Sequence, residues 1–142
     1  CRTIFVRYCL KQKQLCSCPA RAAGGNAADR KESISMYKNI EKQTKLSLKD
    51  QIAYQPGQVV SKTLVQNEKV SMTLFSFDKG EEISSHAAGG DAMVTVLDGT
   101  GRFTVGEDVF FLHAGETLIM PKGIPHAVFG EEQFKMQLIV SF

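Results

Sequence analysis

Gly115-Glu116-Thr117-Leu118-Ile119-Met120-Pro121-Lys122-Gly123-Ile124-Pro125-His126 sets the rhythm from which the fold is read. Residues 117–120 are a short β-prone run. Pro121 suits the end of a strand, where no ladder donor is needed. Glycines such as Gly123 serve turns where φ is positive or the backbone crowds. A second short run, 126–129, follows. The alternation extends in both directions, with runs rich in Val, Thr, Phe and Ile at 58–65, 69–77, 92–98, 101–105, 109–112 and 134–141. Turn residues separate most of them, among them Asp78-Lys79-Gly80, Gly89-Gly90-Asp91, Asp98-Gly99, Gly106-Glu107-Asp108 and Gly130-Glu131-Glu132. Many short strands at near-even spacing predict an all-β sandwich or barrel.

Within the last run Phe134, Met136, Leu138 and Val140 alternate with Lys135, Gln137 and Ser141, a period of two with one face inward. Ile139 interrupts the polar side, which predicts cover on both faces, a partner subunit being one source of it. Met36, Ile40, Leu46 and Leu48 are loosely spaced among Lys and Glu, so 36–51 reads as a short helix or turn. Gln55-Pro56-Gly57 then turns the chain.

A chain of 142 residues favours one domain, and 43% hydrophobic with 23% charged residues is ordinary for a globular protein. No apolar run approaches the ~20 residues that span a bilayer. The net charge of +2 conceals a split: residues 1–35 carry seven bases and two acids, and 36–142 carry ten bases and thirteen acids. An acidic body is a poor match to phosphate backbones, so no nucleic-acid partner is expected. All four cysteines (Cys1, Cys9, Cys16, Cys18) precede residue 36. A barrel that needs no cysteine suits a reducing, cytoplasmic setting. The Cys16-Ser17-Cys18 pair stands without a second pair, a weak metal signal.

Residues 1–35 lack apolar periodicity, and Pro19 to Asp29 is rich in Ala and Gly, so this stretch is expected to be a disordered leader. Arg30-Lys31-Glu32 can be encoded by a purine-rich stretch like a bacterial ribosome-binding site, a few codons before Met36. We therefore expect 1–35 not to be native coding sequence and the domain to be 36–142.

Two segments carry chemistry. In the first, 80–99, Gly80 is followed after five residues by His86, then by Ala88, Ala92 and Gly99. In the second, 115–130, Gly115 is followed by Pro121, Gly123, His126 and Gly130. The spacing resembles the two motifs of the cupin superfamily, G-x5-H-x-H-x3-E-x6-G and G-x5-P-x-G-x2-H-x3-N. Pro121 to His126 and Val96-Leu97-Asp98-Gly99 resemble that family in detail, over roughly residues 58–142. The departures are Ala88 for the second histidine, Ala92 for the glutamate and Gly130 for the asparagine. The resemblance implies a double-stranded β-helix, the RmlC-like jelly-roll barrel, of the small single-domain bacterial kind. It also implies a metal site reduced to His86 and His126, with zinc, iron, manganese or nickel as the possible ion.

Parity extends this picture. His86 and Ala88 would share one face of a strand, and Ala92, Val94 and Val96 a face of the next. The expected pocket comprises His86, His126, Ala88, Ala92, Asp91, Val94, Met120 and Met136. Asp91 would reach in as a third ligand, Met93 would point away, and His113 would lie on the surface. Met120, Met136 and some of Phe75, Phe103, Phe111 and Phe129 either line the pocket or belong to the core.

A catalytic metal site takes about three protein ligands plus water, and two histidines fall short of that. Two alanines in place of His and Glu also widen the pocket and make it less polar, the usual form of a small-molecule site. The leading expectation is a barrel that binds a small apolar or aromatic molecule, its metal site partly lost. The alternative is a metal-dependent enzyme of dioxygenase, isomerase or decarboxylase type using the two-histidine site. A metal-free variant resembles sugar-nucleotide epimerases, but Tyr8, Tyr37 and Tyr54 all precede the motifs, leaving no tyrosine there as acid. The family commonly dimerises, which makes strand 58–65 a candidate for pairing in a homodimer.

Overall fold

The computed structural model describes residues 35–142. The expectations for 1–35 lie, Ser35 apart, outside the described residues. Among the described residues nine strands follow one another: β1 (Val59–Gln66), β2 (Val70–Phe77), β3 (Glu82–His86), β4 (Asp91–Asp98), β5 (Thr100–Val105), β6 (Asp108–His113), β7 (Thr117–Met120), β8 (His126–Gly130) and β9 (Phe134–Ser141). Eight match the runs read from sequence. The ninth, β3, escaped because it is mostly polar and exposed, Ile83 being its single apolar residue. The expected helix or turn within 36–51 is one 3-10 turn, Leu48–Gln51.

The strands form two antiparallel sheets. The first has the order β1-β2-β9-β4-β7 and the second β3-β8-β5-β6. This is the all-β sandwich that the strand spacing predicted, with the jelly-roll strand order that the resemblance implied. Residues directly opposite in an antiparallel pair share a face, so the registers divide each sheet into an inner and an outer side. Phe77 pairs with Phe134, and Phe75 with Met136, which pairs with Val96. These residues face the second sheet, which contributes Phe103, Leu112 and Val128 to the same core. Phe77 and Phe134 stack at 4.5 Å, and Phe103 meets Phe134 edge-on at 6.0 Å. All three rings are fully buried, each removing apolar surface worth about 2–3 kcal/mol.

The outer side of the five-stranded sheet has a core of its own. Leu74 and Leu64, with Ile52, pack against Ile40, Leu48, Val60, Met72 and Leu97. The chain before β1 is tied down there by polar contacts. Ser76 Oγ donates to Ala53 O at 2.8 Å, and Tyr54 Oη donates to Asp98 Oδ2 at 2.7 Å. Lys135 Nζ lies 4.7 Å from the Tyr54 ring centre and donates to Lys49 O. This segment supplies cover on the outer side of β9, the side on which Ile139 breaks the polar pattern. Ile139 itself sits in a cross-strand row with Met72 and Met93.

Two glycines explain how the hairpins close. A Cβ on Gly101 would lie 2.8 Å from the Phe134 ring and 2.9 Å from Phe103, so only glycine lets β5 pass over those rings. At Gly130 a Cβ would stand 2.7 Å from Asp78 O, and the residue is held from both sides by Glu81 and Gly80. That crowding leaves no room for the asparagine of the family pattern. Among the described residues no helix is long and apolar enough to cross a membrane.

Candidate functional site

The site forms where two connections meet at one end of the sandwich. The chain leaves β3 at His86, crosses residues 87–90 and enters β4. It leaves β7 at Met120, crosses 121–125 and enters β8 at His126. The crossings are stitched together: Gly123 N donates to Ala88 O at 3.3 Å, and Lys122 N donates to Asp91 Oδ1 at 2.9 Å. A Cβ on Gly90 would collide with Ser141 O, so the first crossing also lies tight against the end of β9.

His86 and His126 are direct cross-strand partners. Their rings meet edge to face, with centroids 4.5 Å apart and planes at 63°. His126 lies on the inner side of β8, because it pairs with Val105 as Val128 pairs with Phe103. His86 would have the wrong phase relative to Ile83, three residues earlier. A register shift between Ile83 and His86 corrects it and brings the imidazole round to its partner. His126 is buried and His86 is exposed, so the pair runs from the core to the surface.

The tautomers follow from the hydrogen bonds. His86 Nδ1 lies 2.9 Å from Ser84 O, and His126 Nδ1 lies 3.1 Å from Ile124 O. A carbonyl can only accept, so each Nδ1 carries the proton and donates it. Each Nε2 of a neutral ring therefore offers a lone pair. Burial pushes the His126 pKa below its ordinary value, the Ile124 carbonyl opposes that, and the neighbouring His86 lowers it further.

The opposite wall comes from the five-stranded sheet. Its inner row at this end runs Ser71, Val140, Ala92, Met120, and the next runs Thr73, Leu138, Val94, Leu118. Ala92, Val94 and Met120 are buried in that wall. Ser71, Thr73, Leu138, Val140 and, across from them, Val105 face inward yet are only half-buried. Solvent thus reaches between the sheets at this end.

Several expected residues stand elsewhere. Ala88 does not share a strand with His86, because β3 ends at His86 and Ala88 lies in the crossing. Asp91 is exposed, on the outward parity of Met93, and its carboxylate holds the Lys122 amide instead of meeting the imidazoles. Met136 is a fully buried core residue one row deeper than Val94. Phe111 and Phe129 both pair with Arg102 on the outer side of the second sheet, where Arg102 covers Phe129 at 4.4 Å. His113 is exposed, with Nδ1 3.0 Å from Thr100 Oγ1, and Met93 points away from Ala92. Sequence reasoning missed Ser71, Thr73, Val105, Leu138 and Val140.

Among the described residues no three His, Cys, Asp or Glu side chains are grouped to hold an ion. Two imidazoles, with alanine at the other two motif positions, do not make a closed metal centre. A groove of about 660 Å3 lies away from the histidines, along the edges of β6 and β7. Its acidic member, Glu116, is already used by the His113 amide at 2.7 Å, so we do not place the site there.

The comparisons with known proteins agree with this geometry. Residues 73–142 match the family model described as a cupin domain. A conserved protein of unknown function from Streptococcus pyogenes is 40% identical, with 77% of this chain and 96% of that one covered at a TM-score of 0.75. A cupin superfamily protein from Desulfitobacterium hafniense is 30% identical, with 76% and 99% covered at 0.73. A cupin 2 conserved barrel domain protein from Leptotrichia buccalis is 45% identical over 68% of this chain and 47% of that one, at 0.67. No curated protein matches the chain. With the jelly-roll topology, the two motif histidines side by side and near-complete coverage of the Streptococcus and Desulfitobacterium relatives, the chain belongs to the cupin superfamily.

Proposed function

We propose that this cupin binds a small organic molecule between the His86–His126 pair and the wall made by Ser71, Thr73, Leu138, Val140 and Ala92, without strong metal chemistry. The observation that carries this reading is the half-open end of the sandwich. Apolar side chains face inward there and are only half-buried, beside two imidazoles whose Nδ1 protons are given to carbonyls. An apolar recess with a few convergent polar groups is the common form of a ligand site. The partly missing ligand set argues against a resident ion. The relatives are bacterial proteins, and we read this chain as bacterial and cytoplasmic. We read it also as a homodimer, pairing through β1, one of the two edge strands of its sheet.

Thermal melting of the full chain with millimolar indole, phenol and cyclohexanol tests the reading. A saturable rise with at least one probe, lost in Val140→Trp, supports it, since tryptophan would fill the recess. No response to any probe sinks it. A metal-dependent enzyme on the same two histidines is the competing reading, favoured by the free Nε2 pair. Near-stoichiometric zinc, iron, manganese or nickel in the purified chain, lost in His86→Ala and His126→Ala, would install it instead.

A further inference from the structure

The polar groups around the recess have a common character. Both imidazoles spend their Nδ1 protons on the carbonyl two residues earlier in the chain, so as neutral rings they present a pair of acceptors, with ring centres 4.5 Å apart. Across from them Ser71 and Thr73 bring hydroxyls, which both donate and accept. These two residues occupy the inner parity of β2, in cross-strand register with Val140 and Leu138.

What the recess lacks matters as much. Among the described residues no lysine or arginine stands at an inner-facing strand position. Arg102 is on the outer side, ion-paired with Glu131 at 3.1 Å. Lys62 and Lys135 are outer too, donating to Gln51 O and Lys49 O. Near the recess in the chain, Lys69 and Lys122 are both exposed and outside the strands, and the Lys122 backbone amide is held by Asp91. A carboxylate or phosphate entering here would give up water for acceptors and apolar wall, which is unfavourable unless a counter-charge is supplied.

Resting on the binding reading above, we propose that the ligand is an uncharged molecule with an apolar body and two neighbouring hydrogen-bond donors, of the vicinal diol class. The donors go to the two Nε2 atoms. The diol oxygens take hydrogen bonds from Ser71 and Thr73, and the carbon skeleton lies on Leu138, Val140 and Val105.

Calorimetric titration of the full chain with a cis-cyclohexanediol bearing neighbouring hydroxyls, with cyclohexanol and with cyclohexanecarboxylate tests this. The diol binds about ten-fold tighter than the mono-alcohol, one added hydrogen bond being worth about that factor, and the carboxylate binds more weakly than either. The Ser71→Ala/Thr73→Val double variant, checked for an unchanged circular dichroism spectrum, loses the preference for the diol while keeping the mono-alcohol. Carboxylate binding as tight as the diol, or a double variant with the diol preference intact, overturns the ligand class and leaves the binding reading standing. If none of the three ring compounds binds and the indole and phenol melts are flat, the binding reading itself has failed.

Discussion

Ala92→Glu is the substitution that most directly interrogates the site, because it returns a carboxylate to the place where the family pattern carries one. Ala92 is 1% exposed and sits between Val140 and Met120 on the inner wall, in the end row that faces the histidine pair. Without an ion, the longer side chain overpacks the wall by about 1–3 kcal/mol. Burying its carboxylate away from a partner adds about 1–3 kcal/mol more. The variant should therefore melt well below the parent. An ion offsets part of that cost. Two imidazole Nε2 atoms and one carboxylate make the three-ligand set of an open metal centre. Zinc or nickel at a hundred times its dissociation constant would then stabilise the fold by about 2.7 kcal/mol. For a domain of this size that is a rise of about 10 °C.

The assay is a pair of melting curves for Ala92→Glu, one with chelator and one with saturating zinc or nickel, beside the parent chain. A metal-dependent rise in the variant, small in the parent and abolished by adding His126→Ala, is the expected pattern. Met93→Glu is the control, since Met93 lies on the same strand with outward parity. If Ala92→Glu gains nothing from metal, or gains no more than Met93→Glu, then Ala92 and the imidazoles do not look into one space. The site as built here is then wrong.

Gly101→Ala puts a methyl group 2.8–2.9 Å from the Phe134 and Phe103 rings, so it should lower stability by about 1–3 kcal/mol in urea denaturation. Gly89→Ala, with only the Phe142 ring at 3.8 Å, should stay within about 0.5 kcal/mol of the parent. The lowered His126 pKa predicts stability that is full above the unfolded value of 6.5 and declines as the pH falls from there toward the folded value. One proton bounds that slope at about 1.4 kcal/mol per pH unit, and urea midpoints across this window should lose that component in His126→Gln. The Gly57 amide above all, with the Gln133 side chain and the Lys79 amide, holds the Asp78 carboxyl below the usual carboxylate range. Its contribution is present above about pH 4 and lost as the pH falls through the lower folded value, so Asp78→Asn should flatten the acid limb of the stability profile.

The fold was legible because sheet geometry writes itself into short sequences. Alternation in 134–141, and glycine or proline at nearly every reversal, marked eight strands. What escaped was the strand whose burial pattern carries no signal. Ile83 is the one apolar residue of β3, and three polar residues follow it before the crossing. The same strand spoiled the parity argument for Ala88, because it ends at His86 and counting by twos does not carry into the crossing. The aromatic residues were ambiguous for a related reason. Phe103 and Phe111 both lie in β-prone runs, and only the pairing of Arg102 with Phe111 shows that the two point to opposite sides.

The residues missed at the site share a cause that lies outside the motifs. On β2 the apolar side changes hands halfway along the strand. Met72 and Leu74 face outward into the second core, while Ser71 and Thr73 face inward. From Phe75 onward the inner side is apolar and Ser76 is the outward residue. Read as a sequence, Val70 to Phe77 is simply a mixed β-prone run, because alternation reports a two-sided strand and cannot say that the buried side has switched. The switch is possible because the segment before β1 covers the outer side of the sheet and takes up the apolar residues there. Freed of the need to fill the core, the inner side at that end can carry hydroxyls. The short segment that looked least informative in the sequence is thus what allows a polar wall opposite the histidines. A chain lacking residues 35–52 would lose that cover and, with it, the reason for Ser71 and Thr73 to face the recess.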